Sequence, residues 1–264
     1  MEARGRHIVI TGGAGGIGRA LARRFAEEQP SHLVVADRDI DGARAIAEPL
    51  GAQAVELDAG REDSVRALVD AARDAGGPID IFISNAGVPG AGGGPEAPDE
   101  AWDEAWRVNV MAHVWASRAL LPEMLDRGEG YLINTASAAG LLTQVSSSVY
   151  SVTKHAAVAL AEWMAIEYVE RGVRISCICP QGVRTPMLEL AMEDPIGAAA
   201  LSSGGLIEPE DVADEVIEGI REERMLILPH ENVAGFMALK GADHERWLRG
   251  MRRLVRGARE ASAS

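Results

Sequence analysis

Tyr150 and Lys154 stand four residues apart in a stretch with helical character, so both side chains project from one helix face. A free tyrosine ionises near pH ~10 and is a poor acid–base group at neutrality. A neighbouring ammonium favours the phenolate and is expected to lower that value, giving a proton donor and acceptor for a carbonyl or an alcohol. The spacing alone is common on surface helices, and its weight comes from what accompanies it. Ser137 follows a β-rich run at the carboxyl end of a parallel strand, the edge where such sheets bind ligands. A hydroxyl there can hold a substrate oxygen. Asn85-Ala86-Gly87 closes another strand at the same edge. Asn109 falls in the middle of a helical stretch, where propensity does not favour asparagine; a structural or catalytic reason is expected.

A second group of residues suits phosphate. Thr11-Gly12-Gly13-Ala14-Gly15-Gly16-Ile17-Gly18 lies between the first strand and the first helix. Glycines there permit a tight turn and let backbone N–H groups approach a pyrophosphate at the helix N-terminus. The next strand ends at Asp37. An acid at that point accepts both hydroxyls of an adenosine ribose and repels a 2′-phosphate, which favours NAD over NADP. Arg38 follows directly and works against that preference. Asp58, after the third strand, has two readings: a contact on the adenine side, or a simple turn acid.

The elements that must position these residues alternate from end to end. Strands are read over His7–Thr11, His32–Ala36, Gln53–Leu57, Ile79–Ser84, Tyr131–Thr135, Val173–Cys179 and Met225–Leu228. Helices are read over Ile17–Glu28, Ile40–Glu48, Ser64–Ala75, Asp99–Asp126, Val149–Glu170 and Pro209–Glu222. The segment Pro186–Leu206 has weak periodicity and reads as a mobile lid or loop. Continuous apolar strands between helices imply an α/β sheet wound by right-handed crossovers and buried on both faces. No composition break marks a linker, so one domain is expected over residues 1–264.

The 264 residues carry a formal charge of −14, with 47% hydrophobic and 25% charged residues. Such a body argues against a phosphate-backbone binder, which needs a basic face. The exception is residues 246–259, with six arginines and no acid. Trp247, Leu248, Met251, Leu254 and Val255 form an apolar helical stripe there. A packing or subunit-contact helix, a membrane-surface helix and a nucleic-acid contact compete; the first is favoured, with the arginines expected to meet the protein's own acidic surface. The two cysteines, Cys177 and Cys179, are expected to be turned to opposite strand faces, against a bridge or a shared metal. No metal site is expected. Neither a leader peptide nor a run of about 18 apolar residues is seen, so a cytoplasmic protein without a membrane span is expected.

Taken together, residues 6–228 resemble a short-chain dehydrogenase/reductase of the single-domain branch. The motifs are Thr11-Gly12…Gly16…Gly18, Asp58, Asn85-Ala86-Gly87, Asn109, Ser137, Tyr150…Lys154 and Pro180…Val183…Thr185, in that order. The resemblance implies a doubly wound Rossmann-type domain with a mostly parallel seven-stranded sheet, here followed by a helical tail from residue 230. It implies an Asn109–Ser137–Tyr150–Lys154 tetrad: Tyr150 as acid–base, Lys154 lowering its pKa and holding the nicotinamide ribose, Ser137 orienting the carbonyl, and Asn109 supporting a relay water. Gly12, Gly16, Ile17, Gly18, Asp37, Arg38, Asp58, Ala59, Asn85, Ala86, Gly87, Pro180, Gly182, Val183 and Thr185 would join Tyr150 and Lys154 around the cofactor. A homo-oligomer, tetramer or dimer, is implied as well.

Gln181 departs from the pattern, which usually has glycine there; its side chain narrows the nicotinamide end, touches substrate, or points outward with no role. On the substrate side the expected lining is Ala139, Leu141, Gln144, Gln181, Met187 and Leu188, beside Ser137 and Tyr150, with Arg184 the one cation. That lining suits an apolar alcohol or ketone and not a carboxylate or phosphate. The expected function is hydride transfer between NAD(H) and an apolar secondary alcohol or ketone. The alternatives are an NADPH-dependent ketone reductase and, from another class, a dinucleotide-binding scaffold or sensor without turnover.

Overall fold

The computed structural model describes residues 1–202 and 204–262, the Ser202 side chain excepted. Five strands and five α-helices build the first half: β1 (His7–Thr11), α1 (Gly16–Glu27), β2 (His32–Asp37), α2 (Ile40–Leu50), β3 (Gln53–Glu56), α3 (Glu62–Gly76), β4 (Ile81–Ser84) and, after α4 (Asp99–Trp106) and α5 (Ala112–Arg127), β5 (Gly130–Thr135). There follow α6 (Ala139–Leu142), α7 (Ser148–Tyr168), β6 (Val173–Ile178), β7 (Gly182–Val183), α8 (Pro186–Met192) and α9 (Pro195–Ser202). The chain closes with β8 (Leu206–Ile207), α10 (Pro209–Arg221), β9 (Leu226–Ile227), α11 (Glu231–Ala242) and α12 (His244–Ser262).

Seven strands form one sheet in the order β3-β2-β1-β4-β5-β6-β9, and every pairing is parallel. Helices cover both faces. On one side Ile8 and Ile10 of β1 pack with Leu21 and Phe25 of α1 and Val212 and Val216 of α10. On the other, Val9 packs with Phe82, Leu68 of α3, Leu120 of α5 and Ala161 of α7. Alternate residues of β1 thus enter two separate cores, which is why the strand sequence is apolar throughout. Each fully buried side chain of this size contributes roughly 1.5–3 kcal/mol. The strand order reverses between β1 and β4, and the crevice beyond their carboxyl ends is where such sheets bind ligands.

Four expectations change. Asp99–Asp126 is not one regular helix: Arg107–Met111 forms a π-helical turn between α4 and α5. The Pro186–Leu206 segment is folded, as α8, α9 and a strand β8 paired with β7. Thr185 caps α8 by accepting from the Leu188 N–H, and Asp194 accepts from Ile196 and Gly197 at the start of α9. These short polar caps carry the helices that periodicity in so small-residue a segment did not show. The tail breaks at Asp243, whose carboxylate accepts from Arg246 N at 2.8 Å. Last, the cysteines share a face. Positions two apart in a strand point the same way, and the sulfurs of Cys177 and Cys179 lie 3.8 Å apart, both buried and free.

The tail packs only in part. Trp247 stacks obliquely on Phe236 of α11, ring centroids 6.1 Å apart. α12 lies along α9, yet none of its residues is buried. Among the described residues, none of its six arginines pairs with an acid of the same chain, which leaves a partner subunit's acidic surface as the expected match. Among the same residues, no helix is long and apolar enough to cross a membrane.

Two glycines of the first turn serve different ends. A Cβ on Gly18 would meet Gly12 O at 1.9 Å, so the helix can sit on the turn only with glycine there. A Cβ on Gly15 would meet nothing within 4 Å. Gly18→Ala is therefore expected to lower the melting temperature by about 5 °C or more. Gly15→Ser, which supplies a good N-cap in open space, is expected to leave it within about 2 °C. Thermal unfolding followed by circular dichroism checks both.

Candidate active site

The cleft at the carboxyl edge of the sheet begins as a stitched joint. Thr11, the last residue of β1, accepts from Asn85 N at 2.9 Å and Ala86 N at 3.0 Å through its hydroxyl. Asn85 Nδ2 returns a bond to Thr11 O at 3.0 Å. The joint fixes the spacing of β1 and β4 where no strand fills the gap. A Cβ on Gly12 would come within 2.9 Å of Ala86 Cα, so the turn runs tight against this joint. Gly12 also has φ +67, in the left-handed region that glycine tolerates.

The turn feeds α1, whose N-cap Gly15 supplies no side-chain bond and whose first turn carries no acid. The leading N–H groups therefore point toward the cleft without a side-chain partner, as an anion-binding helix start requires. Asp37 lies at the end of β2. Its carboxylate accepts from Ala14 N and Asp39 N, both at 3.0 Å, which fixes its orientation toward the cleft. Asp58 accepts from Gly60 N at 2.9 Å, so one oxygen serves a turn; Asp58 and Ala59 still line the cleft. These donors and acceptors suit a dinucleotide: phosphate at the helix start, ribose hydroxyls at Asp37.

The cleft measures about 2030 Å³. Gly12, Gly16, Ile17, Arg38, Asn85, Ala86, Gly87, Pro180, Val183 and Thr185 all contribute to its wall. Gly18 does not, being packed beneath the turn. Gly182 is also outside the wall, because its carbonyl faces buried His230 at 3.2 Å. On the substrate side Ser137, Ala139, Gln144, Tyr150, Gln181, Met187 and Leu188 line the cleft. Leu141 does not. It packs, as do Phe236, Met237 and Trp247, against the cluster of Ala138, Leu142 and Val233, and its carbonyl accepts from Lys240. Arg184 is also absent from the wall, paired outward with Glu208 at 2.9 Å. A cation from the tail, Arg259, lines the cleft instead.

The polar floor is built by α7, β5 and the π-helical turn. Tyr150 N–H donates to the capping hydroxyl of Ser147 at the start of α7, which orients the first turn. The Ser137 hydroxyl lies near the Tyr150 phenol and favours its ionised form. It also donates to Pro180 O at 3.3 Å and accepts from Ala139 N at 3.1 Å. Lys154 is buried; its Nζ donates to Thr135 O at 2.9 Å and sits 5.7 Å from the centre of the Tyr150 ring.

Asn109 is fully buried behind this group and does not line the cleft. Its Oδ1 accepts from Val88 N at 2.9 Å and its Nδ2 donates to Val88 O at 3.0 Å. A third bond runs from Nδ2 to Thr153 Oγ1 at 3.2 Å. The π-helical turn swings the asparagine into this position, a device frequent at functional sites. Sequence periodicity has no signal for one extra residue in a helix turn, so the reason for Asn109 was visible and its means was not.

Electrostatics depart from expectation in one respect. Burial raises the Tyr150 phenol above its ordinary value, with the Ser137 hydroxyl opposing. Burial lowers Lys154 to about 8. The chain's own groups therefore do not deliver the lowered tyrosine that proximity of an ammonium suggested; desolvation outweighs it. Buried His113, bonded to Ser84 Oγ at 2.7 Å, is lowered to about 3 by burial and by Lys154, so it is neutral at physiological pH. Gln181, the departure from the expected pattern, has a place. Its N–H donates to His230 Nδ1 at 3.2 Å and its Nε2 to Ala200 O at 3.3 Å, tying α9 to the cleft floor.

Known proteins resemble this chain in sequence and in fold. The profile described as short chain dehydrogenase matches residues 6–195. A 1-deoxy-11-beta-hydroxypentalenate dehydrogenase of Streptomyces exfoliatus is 37% identical over 240 residues, covering 88% of this chain and 86% of that one. The 3beta-hydroxysteroid dehydrogenase 1 of Eggerthella lenta is 32% identical over 222 residues, covering 80% and 85%. Among solved structures, a short chain dehydrogenase/reductase from Burkholderia phymatum in complex with NAD superposes with a TM-score of 0.83 at 34% identity, covering 93% of this chain and 96% of that one.

The Lys154 shift has a stability consequence with a definite sign. A base whose folded value lies below its unfolded one penalises folding where the group is charged in both states. The penalty is full below about pH 8 and fades as pH rises toward the unfolded value. Lys154→Met removes it. The stability of the variant relative to wild type is expected to be greatest below pH 8 and to decline, by on the order of 3 kcal/mol, by pH ~10.5. Urea unfolding at pH values from 7 to 10.5 reads the slope; a difference that does not vary with pH contradicts the assignment.

Proposed function

The chain belongs to the short-chain dehydrogenase family, and from that premise we propose that it interconverts a bulky secondary alcohol and its ketone with NAD(H). The observation that carries the reading is the Ser137–Tyr150–Lys154 group on the floor of a cleft whose far end is the carboxylate of Asp37. The cleft volume exceeds the roughly 300–1,000 Å³ of an ordinary small-ligand site, which leaves room for a dinucleotide and a bulky substrate together. Relatives named for a hydroxypentalenate and a hydroxysteroid act on substrates of that kind.

When bound, the nicotinamide supplies the hydride acceptor for the carbinol carbon. The chain's residues do the rest. Ser137 holds the substrate oxygen against the Tyr150 phenol. Tyr150 takes the hydroxyl proton in oxidation and returns it in reduction. Lys154, with its free proton positions, would hold the nicotinamide ribose and carry protons away from the phenol. Asn109 acts as a positioning residue, locking Val88 and Thr153 around that path. Met187, Leu188 and Leu190 exclude water from the apolar side. Exposed Trp163 and Ile166 on α7, 57% and 82% accessible, support a homo-oligomer joined through that helix. A cytoplasmic location fits the buried free thiols.

A second reading, NADPH as cofactor, has one observation in its favour: Arg38 lines the cleft beside Asp37. Two measurements decide. Tyr150→Phe is expected to lower kcat at least about 10²-fold with nucleotide binding retained; unchanged turnover contradicts the acid–base role, and nucleotide binding with no turnover of any alcohol or ketone by the wild type favours a scaffold. Asp37→Ser is expected to lower kcat/KM with NAD about tenfold or more and to raise it with NADP. Unchanged NAD use contradicts the ribose assignment.

A further inference from the structure

We propose that Arg259 of the C-terminal helix binds a carboxylate on the substrate, so that the enzyme's substrates are apolar hydroxy acids and not neutral alcohols. The inference rests on the proposed dehydrogenase reading and deepens it.

Five basic residues line the cleft: Arg38, Arg61, Arg107, Lys154 and Arg259. Four are committed to the nucleotide half or to the floor. Arg38 adjoins Asp37, Arg61 bonds to Asp63, Arg107 lies beside Gly60, and Lys154 donates to Thr135 O. Arg259 alone comes from beyond residue 180. It stands in the last turns of α12, which lies along α9 over the cleft. The wall that α8 and α9 contribute there is apolar, made of Met187, Leu188, Leu190, Ile196 and Leu201. Its one acid, Asp194, has both carboxylate oxygens engaged by the N–H groups of Ile196 and Gly197.

The guanidinium is therefore unanswered. Among the described residues it makes no ion pair, although Glu100, Asp103 and Glu104 of α4 also line the cleft. Its planar fork matches a carboxylate in two parallel hydrogen bonds, and the side chain is exposed where it lines the cleft, open to an incoming ligand. An apolar body in the wall of α8 and α9, with a carboxylate at the end remote from Tyr150, satisfies both features at once. This also gives the tail's charge a use: of its six arginines, Arg259 is the one that reaches the cleft.

The test uses a 3β-hydroxysteroid bearing a side-chain carboxylate, its methyl ester, and the full-length enzyme loaded with NADH. Binding is measured by calorimetry and oxidation by nicotinamide absorbance with NAD. Wild type is expected to bind the acid about tenfold more tightly than the ester. Arg259→Gln is expected to remove that preference, raising KM for the acid and leaving the ester and kcat unchanged. Arg259→Lys is expected to restore part of it, and Arg256→Gln, outside the cleft wall, to change nothing. Equal or absent binding of acid and ester by wild type, or a preference that survives Arg259→Gln, overturns the proposal. A preference that Arg259 controls, without oxidation of either probe, supports the carboxylate site and counts against the dehydrogenase reading instead.

Discussion

Everything in this molecule depends on the joint between β1 and β4. A parallel sheet whose strand order reverses at its centre leaves an unfilled gap at that point. One threonine hydroxyl holds it, accepting from the N–H groups of Asn85 and Ala86 while Asn85 bonds back to the Thr11 carbonyl. The glycine turn approaches Ala86 so closely that only a residue without a side chain fits at Gly12. That contact sets the height of α1, and α1 sets where its unpartnered N–H groups point. On the other flank, Asn85 Oδ1 accepts from the Thr135 hydroxyl at 3.2 Å, and the Thr135 carbonyl holds Lys154. The glycine-turn end and the Tyr150–Lys154 end of the cleft are thus referred to a single fixed point.

The second organising fact is desolvation. Lys154, His113 and Asn109 are all buried beneath the cleft floor: Asn109 is bonded to Val88 and Thr153, Lys154 gives one bond to Thr135 O, and His113 is held neutral. Burial costs the ammonium part of its charge preference and costs the phenol part of its acidity. Such an arrangement is unstable by itself and useful for proton transfer, because groups displaced from their ordinary values respond strongly to a charge arriving beside them.

Much of this was legible in the residues. Apolar strands between amphipathic helices specified a parallel sheet, and the order of Gly12, Asp37, Asn85, Ser137, Tyr150 and Lys154 placed all six on one edge. Four things were not legible, each for a physical reason. The π-helical turn at Asn109 adds one residue to a helix without altering its composition. The fold of 186–202 comes from caps at Thr185 and Asp194, which a periodicity count passes over. The cysteine pair was misjudged because alternation was applied to neighbours two apart, which share a face. The place of Arg259 required knowing that the tail turns at Asp243 and lies back over α9, a tertiary fact with no local signature.

The proposed reaction passes hydrogen directly between a carbinol carbon and the nicotinamide, with the proton leaving through Tyr150. A secondary alcohol carrying deuterium at the carbinol carbon tests it most directly, with the mass of the reduced nucleotide as the readout. Reduced nucleotide heavier by one deuterium, formed by wild type and not by Tyr150→Phe, is the expected result. Reduced nucleotide without label, or label released to water, would contradict it.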